Sequence, residues 1–345
     1  MRSERFEEAT GLRALLAATK RAAKGKRHLS EVARFVMDAE RRCLLLREEL
    51  RAEPGSAAAW KPGTAQTFRL FDPKPRLIAV VPFADRVVHH ALCQVVEPEF
   101  ERFAITDSYA CRKGKGQHAA ILCGQRYAAA SRDGFYFKGD VKAYFASIPH
   151  ERLKEVLKRR VKEPDVREVL ERIICAYPSE EGRGLPIGAL TSQHLANLYL
   201  GVLDHFVKDD LGVRRYLRYM DDFVAFGSRQ EMLNLRERVR HVLQDKLGLA
   251  LNEKTSRVQP VRDGVPMLGL RVYPAMVRVS QPRWRRFRKK QEKLEEKLRR
   301  GACSEEEVAQ RVASQYAHLE KWNTYRLRRA MLKKLAEART EAGGS

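Results

Sequence analysis

Two apolar segments that carry aspartates constrain this chain more than any other feature of its sequence. FYFKGDV at 135–141 is aromatic and β-branched and holds Asp140 near its end, whereas YLRYMDDFVAFG at 216–227 has apolar arms on either side of Asp221 and Asp222. This composition predicts a buried strand in the first segment and a hairpin in the second, with the acidic pair near its turn. A fold that pairs the two segments would bring three carboxylates together.

Converging carboxylates suit phosphoryl transfer to a nucleotide. Negative charge must be held on the attacking oxygen, the phosphorus centre and the leaving pyrophosphate, and two divalent cations roughly 4 Å apart can hold it. Mg²⁺ prefers hard oxygen ligands. The sequence does not show that the two segments are neighbours, and each acid has a simpler interpretation. Asp140 is also typical of a helix N-cap or turn, and an Asp-Asp pair is also typical of a solvated turn.

The charge balance predicts a polyanionic partner. Lys and Arg number 67 against 44 Asp and Glu, a net charge of +23 that exceeds what solubility requires. Nucleic acid is the first expectation, and a merely solvated cationic surface is the alternative. The six cysteines include no Cys-x-x-Cys pair, and no window is apolar enough to span a membrane. We therefore expect reduced thiols, a cytoplasmic location and no membrane partner.

The coarse organisation begins with helices and ends with a basic helical region. Residues 3–53 have helical periodicity that predicts two or three helices, with Ser30 as an N-cap. Short strands are expected near TFRLF and RLIAV, and a helix from about 191 to 210. Residues 281–300 hold ten Lys or Arg against three Glu, so we place a domain boundary near 280.

Seven blocks of sequence resemble, in order and spacing, the motifs of reverse transcriptases. Two of them resemble the fingers motifs of that family: KPRLIAVVPFADRVVHHAL (74–92) and SYACRKGKG (108–116). The other five resemble its palm motifs: KGDVKAYF (138–145), GLPIGALTSQHLANLYL (184–200), YMDD (219–222), LNEKTS (251–256) and MLGLRV (267–272). The resemblance covers about 60–275 and implies an α+β right-hand polymerase with fingers, a palm of antiparallel sheet plus helices, and a helical thumb.

The resemblance also implies the catalytic roles. Asp140, Asp221 and Asp222 would hold two Mg²⁺ ions, for which Mn²⁺ can substitute, with the carbonyl of Val141 as a further ligand. Lys254 would act as a catalytic residue that protonates the departing pyrophosphate, although a plain surface lysine is the simpler interpretation.

Two larger sets of residues would bind the substrates. Phe145 would lie under the incoming sugar, where its ring collides with a ribose 2′-OH, and packing in the palm core is the alternative. The cations of the fingers would hold the triphosphate, or else serve as backbone contacts or surface charge. The implied dNTP-binding residues are Lys74, Arg76, Arg112, Lys113, Phe145, Ile187 and Gly188. The implied template and primer contacts are Ser192, Gln193, Tyr219, Met220, Leu268, Gly269, Arg283, Arg285 and Arg286.

One block departs from the commonest pattern. Retroviral and group II intron enzymes usually read Q-G-x-x-x-S-P where this chain has Ile187 and Gln193 in the form I-G-x-x-x-S-Q. That form is similar to the enzymes of diversity-generating retroelements. The similarity implies a bacterial or phage protein that copies a template-repeat RNA into cDNA with errors opposite adenine, through an RNA/cDNA duplex, in mutagenic retrohoming. It also implies a small basic accessory variability protein as partner. Ile187 offers none of the hydrogen bonds of glutamine near the templating base, or else simply packs.

The implied domains are an N-terminal helical extension (1–60), fingers (61–135), a palm with interleaved fingers elements (136–280) and a helical thumb (281–345). The basic helix of the thumb would grip the template and primer or dock the accessory protein. Two alternatives stay open. One is another bacterial reverse transcriptase, group II-like or defence-associated. The other is a non-catalytic RNA-binding protein on the same fold.

Overall fold

Helices and short strands are interspersed along the chain in the computed structural model, which describes residues 2–71, 75–177 and 180–329. The α-helices are α1 (Glu4–Thr10), α2 (Leu12–Ala22), α3 (Ser30–Met37), α4 (Ala39–Arg51), α5 (Phe83–Phe103), α6 (Gln117–Ala129), α7 (Tyr144–Ser147), α8 (His150–Arg160), α9 (Pro164–Ala176), α10 (Leu190–His205), α11 (Arg229–Asp245), α12 (Gln281–Arg299) and α13 (Glu305–Glu320). The strands are β1 (Gln66–Phe71), β2 (Pro75–Val80), β3 (Phe135–Asp140), β4 (Tyr216–Tyr219), β5 (Asp222–Gly227), β6 (Arg257–Pro260), β7 (Val265–Met267), β8 (Leu270–Val272) and β9 (Val277–Val279).

The strands form three sheets within the described ranges. β1 and β2 make an antiparallel hairpin in which Gln66 pairs with Val80. The central sheet has the order β4-β5-β3-β6, and β3 pairs antiparallel with β6. The third sheet joins β7, β8 and β9 in antiparallel register. Since β5 neighbours β3, the strand that ends in Asp140 lies beside the hairpin that carries the acidic pair.

The chain divides into two compact units. The first comprises Met1–Gly116, Gly139–Phe223 and Arg236–Ser256. The second comprises Gln117–Lys138, Val224–Leu235 and the described residues from Arg257 onward. No helix in the described ranges is long and apolar enough to cross a bilayer.

Two helices form the centre of the first unit. α5 buries side chains around its circumference, from Val87 and Val88 to Val95 and Val96, and α10 is buried in the same way. A helix that is apolar on all sides belongs inside a core, so these two pack against each other while α2 covers α5. Gly201 of α10 leaves room for the Phe103 ring, since a Cβ there would lie 2.7 Å from it.

The N-terminal region holds four helices, so the prediction of two or three is wrong. Extended backbone at Gly11 separates α1 from α2, and Asp38 separates α3 from α4. The prediction of Ser30 as an N-cap is also wrong. Ser30 is the first residue of α3, and the extended Leu29 before it is the cap. The side-chain cap is instead at Ser3, whose hydroxyl accepts from the amide of Phe6.

The second unit contains a small aromatic core between α12 and α13. Phe287 of α12 lies edge-on to Tyr316 of α13, with Leu319 buried beside them. Trp284 stacks on Phe287 with ring centroids 5.3 Å apart. The apolar side of α12 is therefore packed, and its arginines and lysines are left on the other faces.

Candidate active site

The glycine before Asp140 allows β3 and β5 to pack closely at the position of this acid. A Cβ at Gly139 would lie 2.2 Å from the ring of Phe223 on β5, closer than atoms can approach. With no side chain at 139, the Phe223 ring lies against the β3 backbone and β5 stays beside β3. The strand that begins with Asp222 is thus held next to the strand that ends with Asp140.

The hairpin turn presents the other two acids. Met220 and Asp221 connect β4 to β5, and Met220 has a φ of +57°. Such a positive φ fits a two-residue hairpin turn and is uncommon outside glycine. Burial, followed by the neighbouring charges of Asp222 and Asp140, raises the pKa of Asp221 to about 6, while Arg76 opposes the rise. Asp221 is therefore close enough to the other two carboxylates to be affected by their charge.

The segment LNEKTS wraps around Asp140. Asn252 Nδ2 donates to Asp140 Oδ2 at 2.8 Å, and Thr255 Oγ1 donates to the same oxygen at 3.0 Å. The Asn252 amide also donates to the Asp140 carbonyl at 2.8 Å. Lys254 lies exposed in the turn that these bonds define, and buried Val141 pairs with Leu251 in an isolated bridge.

The GLPIGALTSQ segment is hydrogen-bonded to the β1–β2 hairpin. The amide of Ala79 on β2 donates to the carbonyl of Ile187 at 2.8 Å. Gly188 has a φ of +121°, and a Cβ there would lie 2.6 Å from the Ala79 carbonyl oxygen, so only glycine fits. Ile187 and Gly188 therefore lie against the strand that carries Arg76. Lys74 lies outside the described residues.

The cations of SYACRKGKG have different surroundings. The Arg112 guanidinium binds both carboxylate oxygens of Glu101 and donates to the carbonyls of Ile105 and Ser108 at 2.7 and 2.8 Å. To bind a triphosphate as predicted, the Arg112 guanidinium would have to break some of these hydrogen bonds and form new ones to phosphate oxygens. Lys113 is almost fully exposed, 3.8 Å from Glu97.

Four more predicted residues belong to three of the other motif blocks. The Cys111 thiol donates to Oε1 of Gln193 at 3.3 Å, and burial together with Cys111 raises the pKa of Tyr219. Ser192 is buried on α10, and its hydroxyl has no hydrogen-bond partner among the described residues. Phe145 is half-buried against Tyr144, and its carbonyl accepts from the Leu185 amide at 2.7 Å.

The remaining predicted residues gather in the second unit. Leu268 and Gly269, with φ values of +49° and +78°, form the turn between β7 and β8. Arg283 of α12 donates to the Leu268 carbonyl at 3.1 Å, and Gln117 donates to it at 3.3 Å. Burial and nearby Arg286 lower the pKa of Arg283. Arg285 and Arg286 are exposed.

The family assignment follows from comparison with known proteins. The reverse transcriptase (RNA-dependent DNA polymerase) family matches residues 64–272, a span that contains all seven motif blocks. This chain belongs to the reverse transcriptase family. The predicted enzyme class, an RNA-directed DNA polymerase and hence a nucleotidyltransferase, agrees with the description of this family.

Curated relatives include group II intron proteins. Protein YkfC of Escherichia coli is 26% identical over 257 residues, which cover 61% of this chain and 66% of YkfC. The group II intron-encoded protein LtrA of Lactococcus lactis is 26% identical over 140 residues, which cover 39% of this chain and 23% of LtrA. This reverse transcriptase thus spans less than two thirds of the length of either relative.

A solved telomerase structure supports the fold. Apo telomerase from Candida tropicalis superposes with a TM-score of 0.50 at 13% identity, covering 66% of this chain and 50% of the telomerase chain. At that identity the likeness concerns the fold alone. It confirms the predicted α+β class with a right-hand polymerase fold.

The carboxylates of this reverse transcriptase fit Mg²⁺ in chemistry. They are hard oxygen donors, and the repulsion that Asp222 and Asp140 exert on the half-buried Asp221 is what a cation would relieve. Among the described residues, however, no three His, Cys, Asp or Glu side chains converge closely enough to form a metal centre. Asn252 and Thr255 both donate hydrogen bonds to one oxygen of Asp140. Asp140, Asp221 and Asp222 would hold the Mg²⁺ ions if that oxygen also contacted an ion.

A buried ion pair that the sequence analysis missed braces the turn of the reverse transcriptase. Arg218 of β4 binds both oxygens of Asp204 on α10, with Nη2 to Oδ2 at 2.7 Å, and both side chains are fully buried. Its Nη1 donates to the Met220 carbonyl at 2.9 Å and to Asn197 Oδ1 at 3.0 Å. Burial alone would lower the pKa of Arg218, but Asp204 more than offsets this and raises it.

The same arginine joins the hairpin to the SYACRKGKG loop. The Arg218 amide donates to the Asp107 carbonyl, and the Tyr109 amide donates to the Arg218 carbonyl, both at 2.9 Å. Two sequence features could have indicated this ion pair. One is an arginine within the apolar run YLRY, and the other is an aspartate on an otherwise apolar helix. Each of these residues needs a buried partner, and the sequence does not show which one.

Proposed function

We propose that this protein is an RNA-directed DNA polymerase that extends a DNA primer on an RNA template from dNTPs. The observation that carries the proposal is that β3 lies beside β5, so that Asp140 at the end of β3 is next to the hairpin that holds Asp221 and Asp222. The family match to residues 64–272 supports it.

The side chains around the acids have assignable roles in that reaction. Bound Mg²⁺ ions would activate the primer 3′-hydroxyl and stabilise the charge on the transferred phosphate. Arg76, whose charge already acts on Asp221, would neutralise the triphosphate. Phe145 would exclude the ribose 2′-OH, and Lys254, exposed in the turn around Asp140, would donate a proton to pyrophosphate. Arg218 holds the turn that presents Asp221.

The experiment is primer extension on an RNA template with Mg²⁺ or Mn²⁺. Asp140→Asn and Asp221→Asn should abolish extension and leave RNA affinity nearly unchanged. Asp133→Asn is the matched control, since that acid is exposed in the turn before β3. If both active-site variants extended primers at the wild-type rate, the polymerase proposal would be wrong. The alternative of a non-catalytic RNA-binding protein would then be favoured.

We further propose that the enzyme belongs to a diversity-generating retroelement. The I-G-x-x-x-S-Q block supports this, and Ile187 lies against β2 with its carbonyl bonded to the Ala79 amide. Its template would be a template-repeat RNA, its product an RNA/cDNA duplex with errors opposite adenine, and its partner a small basic accessory variability protein. The setting would be the cytoplasm of a bacterium, with a bacterial or phage gene. We keep the division into fingers, palm and thumb as part of the proposal.

The similarity to LtrA favours the second candidate, a group II-like enzyme. Single-nucleotide incorporation on RNA templates separates the two candidates. A diversity-generating enzyme should misinsert far more often opposite A than opposite C, G or U, and Ile187→Gln should narrow that gap by supplying polar contacts near the templating base. Low and equal misinsertion at all four bases, with the native RNA and accessory protein present, would support the group II-like enzyme instead.

A further inference from the structure

The first unit contains an open cleft outside the candidate active site. Its volume is about 720 Å³, within the roughly 300–1,000 Å³ range of ligand-binding clefts. Its wall is formed by the C-terminal ends of α5 and α8, by α10 with the π-helical turn Phe206–Asp210 that follows it, and by Lys246 after α11. A π-helical turn is rare and frequently marks a functional site. None of the predicted active-site residues lines this cleft.

The cleft has an excess of unpaired positive charge. Four of its cations have no acidic partner within the described part of the chain: Arg159, Arg160, Lys162 and Lys246. Of its two acids, Glu99 is already paired with Arg5 and Arg102, which leaves Asp210. Partial burial, followed by the charge of Arg159, lowers the pKa of Arg160. An anion in the cleft would relieve that repulsion.

Aromatic rings hold the cations in place. The Arg160 guanidinium lies 3.7 Å from the centroid of the Phe103 ring, and His205 stacks on the same ring at 4.5 Å. Lys246 lies over the Phe206 ring at 5.7 Å. Phe103 is itself buried, so its ring is not open to stack on a base. The cleft therefore presents pre-positioned charges and would contact phosphates instead of bases.

We propose that this cleft is a second RNA-binding site, which holds the phosphate backbone of the RNA outside the polymerase centre. Arg159, Arg160 and Lys162 lie at or just after the end of α8, and Lys246 follows α11, so cations from two segments line one open cleft. This arrangement suits a chain of phosphates better than a single one. The choice of RNA rests on the proposed function, because that function makes RNA the polyanion that the protein must retain. A basic partner protein would be repelled by the same charges.

The test measures binding of labelled single-stranded RNA to the full chain whose polymerase centre is saturated with a short RNA–DNA duplex. Replacing both Arg159→Gln and Arg160→Gln should weaken RNA binding about tenfold and flatten the log–log salt slope by roughly 1.4 to 1.8, the value for two lost contacts. Lys246→Gln alone should flatten it by roughly 0.7 to 0.9. That single variant keeps the test decisive if the double variant is unstable.

The matched control is Arg41→Gln with Arg42→Gln on α4. Arg42 also lies over a phenylalanine ring, Phe35, but both arginines pair with Asp38. Equal loss of RNA affinity in control and cleft variants, or no loss in either, overturns the proposal. So does a tripolyphosphate affinity that depends on Arg159 and Arg160 while RNA affinity does not, since the occupant would then be a small phosphate compound.

Primer extension on a short preformed duplex keeps this proposal separate from the polymerase proposal. The cleft variants should extend such a duplex at the wild-type rate. If the wild-type protein extends no primer, the polymerase proposal is wrong. Loss of RNA affinity in the cleft variants would still support RNA binding in the cleft.

Discussion

At the scale of single residues, backbone strain coincides with the motifs. Four described residues other than glycine have a positive φ: Cys111, Ala143, Met220 and Leu268. Each lies in a different block that the sequence analysis singled out, and Ala143 comes three residues after Asp140. Non-glycine residues adopt this conformation at a cost that the surroundings must offset, and such strain concentrates at functional sites.

Phe145 carries the first residue-scale prediction. Phe145→Ala should raise incorporation of NTP relative to dNTP about tenfold, equivalent to roughly 1.4 kcal/mol, because the ring no longer blocks the 2′-OH. The ratio of kcat/KM values for the two nucleotides measures this. Phe145→Tyr keeps the ring and should preserve discrimination. If Phe145→Ala polymerises with unchanged selectivity, the residue serves only to pack the core.

Gly139 carries the second residue-scale prediction. Gly139→Ala should lower the free energy of unfolding by about 1–3 kcal/mol, because its Cβ overlaps the Phe223 ring. Extension should fall as well, since β5 and Asp222 move away from Asp140. Adding Phe223→Leu should recover part of both losses, as a double-mutant cycle would measure. Strict additivity of the two substitutions would show that the contact does not hold the strands together.

At the scale of elements, the hairpin β4–β5 depends on a helix. Arg218 connects the turn to Asp204 of α10, and Tyr216 Oη donates to the same aspartate at 2.8 Å. Breaking a buried ion pair is costly, whereas replacing the whole pair by apolar residues is often tolerated. Stability and activity can therefore be separated at this site.

Asp204→Asn alone should destabilise the protein by roughly 3–5 kcal/mol, because it leaves the buried charge of Arg218 uncompensated. Replacing Asp204→Leu, Tyr216→Phe and Arg218→Met together should recover most of that stability. The rate of primer extension should stay low in the triple variant, since the Met220 carbonyl has lost its donor. Chemical denaturation and kcat measured side by side test this, and recovery of kcat along with stability would show that the brace is not needed for catalysis.

At the scale of the whole molecule, buried histidines couple stability to pH. His89 of α5 is buried, with Nδ1 3.3 Å from Thr191 Oγ1. Burial and then the charge of His90 lower the pKa of His89 to about 3, and burial is also the main cause that lowers the pKa of His90 to about 4. In the unfolded chain both pKa values lie near 6.5, so below that pH the unfolded state binds more protons than the native state.

The native state should therefore lose stability as the pH falls below about 6.5. Between about pH 7.5 and pH 5, the free energy of unfolding should drop about 2 kcal/mol further in the wild type than in His89→Gln. Denaturant titrations at the two pH values measure the difference. His28→Gln, at an exposed site, is the control and should follow the wild type. Parallel losses in the wild type and His89→Gln would contradict a neutral buried His89.

Local sequence patterns were enough to predict the elements that carry the chemistry. Aromatic and β-branched residues predicted β3, apolar arms around an acidic pair predicted the β4–β5 hairpin, and the motif order predicted the family that the match to residues 64–272 confirms. These signals are local, because side-chain periodicity and turn composition reflect the conformation of a few neighbouring residues. The roles of the individual site residues stay predictions.

Which distant side chains meet is known from the three-dimensional fold alone. It placed β5 beside β3 through the space at Gly139, paired Arg218 with Asp204, and bound Arg112 to Glu101. It also collected unpaired arginines in a cleft that no motif marks. The physical reason is that each contact joins residues far apart in the sequence. Several residues of suitable charge and size could serve as the partner of a given side chain, and the packing of the folded chain selects one of them.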